Sequence, residues 1–235
     1  MKYKIIALIP SRSGSERVKH KNIVKLGKKH LIGHTITEAI KSKLFDYVLV
    51  STDSKKYAKI ARKYGASVPF IRPKKYSTST SSDFEWVNHS INFLKKQKLY
   101  FDFFFILRPT NPFRKSNTIQ RAWKFFKKNK FPESLRALEL CKQHPEKMWI
   151  LDKNYRIIPL IKKKYGKQPS YNMQFKSLKK IYVQNASLEI SKISNLKKYK
   201  TITGKKIIGF KTVYPEGFDI NYHEDLVRAK KILKN

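Results

Sequence analysis

The chain has 235 residues, of which 40% are hydrophobic and 13% aromatic; that is enough apolar material for one folded domain and excludes a disordered segment. A single cysteine, Cys141, excludes an intramolecular disulfide and fits a reducing, cytoplasmic compartment. No apolar run approaches the ~20 residues of a membrane span, and the short run behind the charged start is too brief for a signal-peptide core. The net charge of +37 invites a nucleic-acid or membrane-surface reading. Against it, 43 of the 53 basic residues are lysine and ten are arginine, although phosphate and base recognition favours the arginine fork. The lysines are spread from end to end and no RNA- or DNA-reading motif is present, so neither nucleic acid nor membrane is expected as a partner.

Residues 3–9 predict a first strand that stops at Pro10. A loop of small polar residues follows, Ser11 to Ser15, and then cations and an amide: Arg17, Lys19, Lys21 and Asn22. A buried strand running into a loop rich in backbone N–H groups is a place to hold an anion. Arg12, Arg17 and Lys21 add positive charge, which makes a polyphosphate the simplest ligand. The loop is neither a Walker A loop nor a dinucleotide G-x-G-x-x-G turn, since Gly14 stands alone.

Further along, residues 31–40 have helical apolar spacing, and residues 47–50 read as a short strand ending in Ser51-Thr52-Asp53. A helix over 55–64 is closed by Gly65. Residues 68–71 read as a third strand ending in Arg72-Pro73. The serine-rich loop 77–82 leads into a helix over 83–96, with Asp83 favourable at its start. Residues 101–107 form a nearly continuous apolar run, the mark of a strand buried on both faces. Ser116 is expected to cap the helix that runs to about 129. Strands and helices alternate strictly to this point, which argues for an α/β fold of three layers with a mainly parallel sheet and a ligand at its carboxyl edge.

The alternation breaks after residue 130. Residues 134–141, 148–151 and 155–158 are strand candidates. Residues 143–180 read as a small β-rich excursion within a single domain, 1–235, and its expected use is to pack on a second subunit. Strands over 181–190 and 206–213 follow, then a helix over 223–233. No internal repeat is visible.

Six short pieces in order carry a resemblance: I-P-S-R-S-G-S-E-R-V-K-H-K-N (9–22), Ser51-Thr52-Asp53, Arg72-Pro73, R-P-T-N-P-F-R (108–114), Asn185-Ala186-Ser187 and Asp219-Ile220-Asn221. Together they resemble the acylneuraminate cytidylyltransferases, or CMP-sialic acid synthetases, over nearly the whole chain. The resemblance implies a nucleotide-binding fold and transfer of CMP from CTP to an acidic sugar of the sialic, legionaminic or pseudaminic type, with release of pyrophosphate. It implies Mg²⁺ as cofactor and a homodimer. Arg12, Lys21 and Asp219 would be catalytic. Ser13, Gly14 and Ser15 would cradle phosphates, and Asn22, Arg72, Thr80 and Arg108 would contact the nucleotide. Gln184 and Asn185 would meet the acceptor, and Asp219 with Asn221 would hold the metal.

Plainer readings stand beside these. Asp53 reads equally as a helix cap, Asp219 as a cap of the last helix, and Asn185 as a strand-edge hydrogen bonder. The chain also departs from the pattern. Arg108 replaces a glutamine, Ser79 an aspartate, Ala186 a glycine, and Asn221 a second aspartate. Around Pro169-Ser170 the basic residues expected for a sugar carboxylate are not matched, although Lys176, Lys179 or Lys180 could substitute. Two alternatives remain: a same-fold nucleotidyltransferase using another sugar or sugar phosphate, and a polyanion- or nucleic-acid-binding protein that has lost catalysis.

Overall fold

Strand β1 (Ile5–Pro10) alternates between two apolar layers, which is why its run of branched side chains is wholly buried. Ile5, Ala7 and Ile9 face one layer, built by Ile32, Ile36 and Ala39 of α1 (Leu31–Lys41), Ala58 and Ala61 of α2 (Lys55–Lys63), and Ile119, Ala122 and Phe126 of α4 (Ser116–Lys128). Ile6 and Leu8 face the other, built by Trp86, Val87, Ile91 and Leu94 of α3 (Asp83–Lys96). Each fully buried aliphatic side chain contributes about 1.5–3 kcal/mol relative to exposure, so this sandwich dominates the stability of the fold. The computed structural model describes residues 3–234; the ends of the expected span, Met1, Lys2 and Asn235, lie outside the described residues.

The sheet has the strand order β12-β6-β11-β5-β1-β4. Its other members are β4 (Tyr47–Ser51), β5 (Phe103–Ile106), β6 (Ser134–Leu140), β11 (Tyr182–Lys192) and β12 (Ile207–Lys211). β1 runs parallel to both β4 and β5, while β11 runs antiparallel to β5, with Ile190 opposite Phe105. The fold is therefore the expected three-layer α/β arrangement, with a mixed sheet. Short ribbons complete the first part: β2 (Lys25–Leu26) pairs with β3 (Lys29–His30). A small helix, α5 (Ser194–Lys198), follows β11, and α6 (His223–Lys234) packs Leu226 and Ala229 on Leu26, Leu31 and Ile220.

Two local expectations are corrected. Residues 68–71 do not form a strand. Only Ser67 bridges to Leu49, and Pro69 has no N–H to continue the ladder. Ser116 is the first helical residue of α4 rather than its cap; Lys115 holds the cap position, and Glu38 of the neighbouring α1 accepts the Ser116 N–H at 2.8 Å.

The residues form two compact units, one up to Ala137 together with Asn185 onward, the other Leu138–Gln184. The second unit contains the hairpin of β7 (Trp149–Leu151) and β8 (Ile157–Pro159) and the ribbon of β9 (Lys164–Tyr165) and β10 (Gln168–Pro169). Inside it, buried His144 is held between the Glu146 N–H, which donates to Nδ1, and the Lys179 carbonyl. Lys163 pairs there with the buried carboxylate of Glu146 at 3.2 Å.

Candidate active site

The carboxyl ends of β1, β4 and β5 open into one cleft of about 380 Å³, the position where open parallel sheets bind ligands. Arg12, Ser15, Arg17, Lys21 and Asn22 reach it from the loop after β1. Arg72 and Ser79 come from the connection between α2 and α3, Arg108 and Thr110 from the loop after β5, and Asp219 and Asn221 from the segment before α6. Eight of the residues expected from the sequence thus converge on one cavity. Ser13, Gly14, Thr80 and Asn185 lie outside its lining, and Gln184 belongs to the second unit, where it is exposed.

The loop after β1 is held from beneath. Ser13 donates its backbone N–H to Asp53 at 2.8 Å and its hydroxyl to the same carboxylate at 2.9 Å. Ser15 donates its N–H to the Ser13 carbonyl at 2.9 Å. Those amides serve the loop itself, so the charge presented to the cleft comes from Arg12, Arg17 and Lys21. Asn22, nearly buried, donates its side-chain amide to the Arg12 carbonyl at 3.1 Å, and the Arg12 guanidinium donates to the Thr78 carbonyl of the serine-rich loop. Asp53 is thus a clamp rather than a helix cap. That role falls to Ser54, whose Oγ accepts from the Tyr57 N–H.

Arg72 is almost fully buried and lies against the Trp86 ring, 5.3 Å from its centroid. It donates to the Ser51 hydroxyl at 2.9 Å and to the Ser51 carbonyl. Burial pulls its pKa down to about 10, against the opposing charges of Asp53 and Asp83. Lys21 is likewise pushed down by burial, with Asp219 opposing that shift and Arg17 adding to it.

Arg108 sits in a four-membered ion network. It donates to Asp83 at 2.5 Å and to Glu189 at 2.9 Å, and Glu189 also pairs with Arg136. Asp83 accepts from Trp86 Nε1 at 2.8 Å. Burial alone would raise the Asp83 pKa, but the charge and hydrogen bonds of Arg108 outweigh it and hold the carboxyl below its ordinary value. Sequence reasoning assigned Asp83 to the helix start and missed Glu189 and Arg136. A carboxylate inside the apolar run L-E-I of β11 is the signal that a buried cation awaits it. Arg114, fully buried, pins the same loop by donating to the Ser187 carbonyl and to Thr35 Oγ1 at 3.0 Å; burial lowers its pKa to about 9.

Asp219 accepts the Asn221 side-chain amide on Oδ2 at 2.8 Å, while its buried Oδ1 has no partner. The helix that follows is capped by Asp225, which accepts the N–H groups of Asn221 and Tyr222 at 3.0 and 2.9 Å. Asp219 is therefore free of the capping role that the sequence left open. No cluster of three or more His, Cys, Asp or Glu side chains suited to a metal is present among the described residues. A single carboxylate with an unsatisfied oxygen, facing a cationic cleft, nevertheless fits Mg²⁺, which takes one or two carboxylates together with phosphate oxygens. Asn185 donates to Thr212 Oγ1 at 2.8 Å and accepts the Ser187 N–H at 3.1 Å, the geometry of a strand-edge hydrogen bonder.

A basic cleft at the carboxyl edge of a three-layer sheet is the ligand position of the nucleotide-binding class of α/β fold. The family model described as cytidylyltransferase matches residues 6–182, and the chain belongs to that family. It is similar to the N-acylneuraminate cytidylyltransferase of Escherichia coli, 41% identical over 54% of this chain and 29% of that protein. It is also similar to the CMP-N,N'-diacetyllegionaminic acid synthase of Legionella pneumophila, 42% identical over 51% of each chain. The pseudaminic acid cytidylyltransferase of Campylobacter jejuni is 31% identical over 69% of each. The match thus spans 29% and 51% of the first two relatives' length. Among solved structures, CMP:2-keto-3-deoxy-manno-octonic acid synthetase complexed with CTP superposes with a TM-score of 0.69 over 98% of both chains at 12% identity, a likeness of fold.

Proposed function

We propose that this chain transfers CMP from CTP to the hydroxyl of an acidic sugar and releases pyrophosphate. The observation that carries the reading is the meeting of Arg12, Arg17, Lys21 and Arg108 with the unsatisfied carboxylate of Asp219 in one cleft of a family member. Nucleotidyl transfer is catalysed mainly by positioning and by neutralising phosphate charge, and this cleft is equipped for both. Arg12 and Arg17 orient the triphosphate. Lys21 stabilises the charge that develops on the departing pyrophosphate. Asn22 and the Asp53 clamp keep that loop in register. Arg108, where related proteins are expected to have a neutral amide, lines the cleft with its charge already paired to Asp83 and Glu189, so its part is to order the loop after β5.

Asp219, with the Asn221 carbonyl oxygen, would hold Mg²⁺; when bound, the ion supplies Lewis-acid neutralisation of phosphate oxygens. The acceptor class follows the relatives, whose names cover N-acylneuraminate, diacetyllegionaminic and pseudaminic acids. We further read the protein as a cytoplasmic homodimer. Support for the dimer is the β7–β8 hairpin, where Trp149, Ile150, Leu151, Ile157 and Ile158 are all exposed. No helix among the described residues is long and apolar enough to cross a membrane.

A thermal-shift panel with CTP, UTP, ATP and GTP, with and without Mg²⁺, tests the nucleotide half. A ligand at ~100 times its dissociation constant adds ~2.7 kcal/mol of stability. The expected result is a selective shift with CTP, enlarged by Mg²⁺. Equal shifts with all four would reduce the cleft to a basic patch.

A further inference from the structure

The pole of the sheet opposite the cleft carries a second, differently built basic surface. Three helices end there. Asp46, just after α1, accepts the Ile5 N–H at 2.7 Å, and Asp102, shortly after α3, accepts the Lys4 N–H at 2.8 Å, so both connections abut the start of β1. Phe131, just after α4, lies 4.8 Å from Tyr3 between ring centroids, at the same edge. In each case the first residue past the helix cap is a lysine in the left-handed region: Lys43 at φ 53°, Lys98 at φ 59° and Lys130 at φ 59°. Glycine is the residue that this position favours, because a Cβ is strained there. A helix dipole rewards a cation in the last turn, but the last turns of α1, α3 and α4 already contain exposed lysines. The dipole therefore gives no reason for a strained lysine one residue beyond.

Asp46 and Asp102 each accept a backbone N–H of the β1 edge and form no ion pair with a lysine among the described residues, so the cations of this pole outnumber them and stay solvent-facing. Apolar side chains stand among the cations: Leu99 and Tyr100 are 40% and 60% exposed, and Tyr3 is 40% exposed. Lysine is a flexible point charge without the fork that reads bases or phosphates in fixed geometry. Long cationic stems mixed with aromatic and aliphatic side chains match a diffuse anionic layer with an apolar interior beneath it.

We infer that this pole, formed by the ends of α1, α3 and α4 with Lys4, Lys43, Lys98 and Lys130, is a docking surface for anionic lipid headgroups. It holds the protein reversibly at a membrane surface with the cleft turned away from it. No helix inserts; attraction falls off within a Debye length, so binding weakens steeply with salt.

The test is co-sedimentation of the full chain with phosphatidylcholine vesicles, with and without phosphatidylglycerol. Wild type should bind only the phosphatidylglycerol vesicles. The triple variant Lys43→Gly, Lys98→Gly, Lys130→Gly places the favoured residue at each left-handed position, so it should fold at least as well. It should lose about 100-fold in partitioning, the effect of removing three surface cations. A control variant, Lys55→Ala, Lys56→Ala, Lys59→Ala, removes the same charge from exposed positions of α2. It should stay within about twofold of wild type if position rather than net charge governs binding. Equal losses in both variants, or no loss in the glycine variant, would overturn the proposal. So would absence of binding at about 0.1 M salt. Single-stranded oligonucleotide binding that the glycine variant abolishes, without vesicle binding, would assign the pole to nucleic acid and overturn it as well.

Discussion

Asp53 holds Ser13 twice, through the backbone N–H at 2.8 Å and through the hydroxyl at 2.9 Å, and by doing so ties the loop after β1 to the end of β4. The two parallel strands place these residues side by side, since Pro10 lies opposite Ser51 in the register. Replacing Asp53 with alanine leaves the core untouched but frees the loop that positions Arg12 and Lys21. The expected outcome is a loss of about 10–100-fold in kcat/KM, in line with small misplacement of positioning groups. Stability should fall by only about 1–2 kcal/mol, the cost of two hydrogen bonds to a charged acceptor. Steady-state kinetics and thermal melts on one preparation check both numbers.

Arg108 neutralises two carboxylates at once. Arg108→Gln, which restores the amide expected of related proteins, leaves Asp83 without its ion pair and Glu189 with Arg136 alone. Because Arg108 is part-exposed, the penalty is discounted to about 1–3 kcal/mol. A pH effect follows. The folded pKa of Asp83 is depressed, so its contribution to stability is present above the unfolded value of about 3.9 and is lost as pH falls through the folded value. Removing Arg108 raises the folded pKa, so loss of stability on acidification should set in at higher pH than in wild type. Urea melts across the acid range read this directly; superimposable profiles would remove Arg108 from the network.

Lys21 is a cation that the fold holds at a cost. Burial lowers its pKa, and Asp219 only partly offsets that. Lys21→Met keeps the stem and removes the charge. The expected result is an equal or higher melting temperature together with a loss of about 100-fold or more in turnover, the pattern of a group kept for function at the expense of stability. Wild-type turnover would sink the assignment.

Asp219→Asn should leave the fold intact, because Asp225 rather than Asp219 caps α6. At limiting Mg²⁺ the variant should lose activity by about tenfold or more, with partial recovery at high Mg²⁺, as expected when one carboxylate ligand loses its charge. Full activity at limiting Mg²⁺ would show that the metal is held elsewhere.

The layers of the fold were legible because burial writes itself into local pattern. The apolar run of β5 and the spacing of α1 need no knowledge of distant residues. The cleft was legible through its loops, since the chemistry-bearing residues after β1, β4 and β5 come together wherever parallel strands do. What stayed hidden is long-range. Nothing local says that Asp53 reaches Ser13, that Asp83 and Glu189 share Arg108, or that Glu38 serves Ser116. Those partners meet only through sheet order and helix packing. The same limit misled the reading of residues 68–71, where Val68 and Phe70 look strand-like but Pro69 withholds the hydrogen bond.

The most direct test of the central claim is transfer of label from CTP labelled at the α-phosphate, with Mg²⁺ and a panel of nine-carbon sugar acids, neutral sugars and sugar phosphates. The account predicts labelled CMP-sugar and a stoichiometric release of pyrophosphate with at least one sugar acid, and none with Lys21→Met. Transfer to sugar phosphates alone, or pyrophosphate release without any labelled sugar, would contradict it.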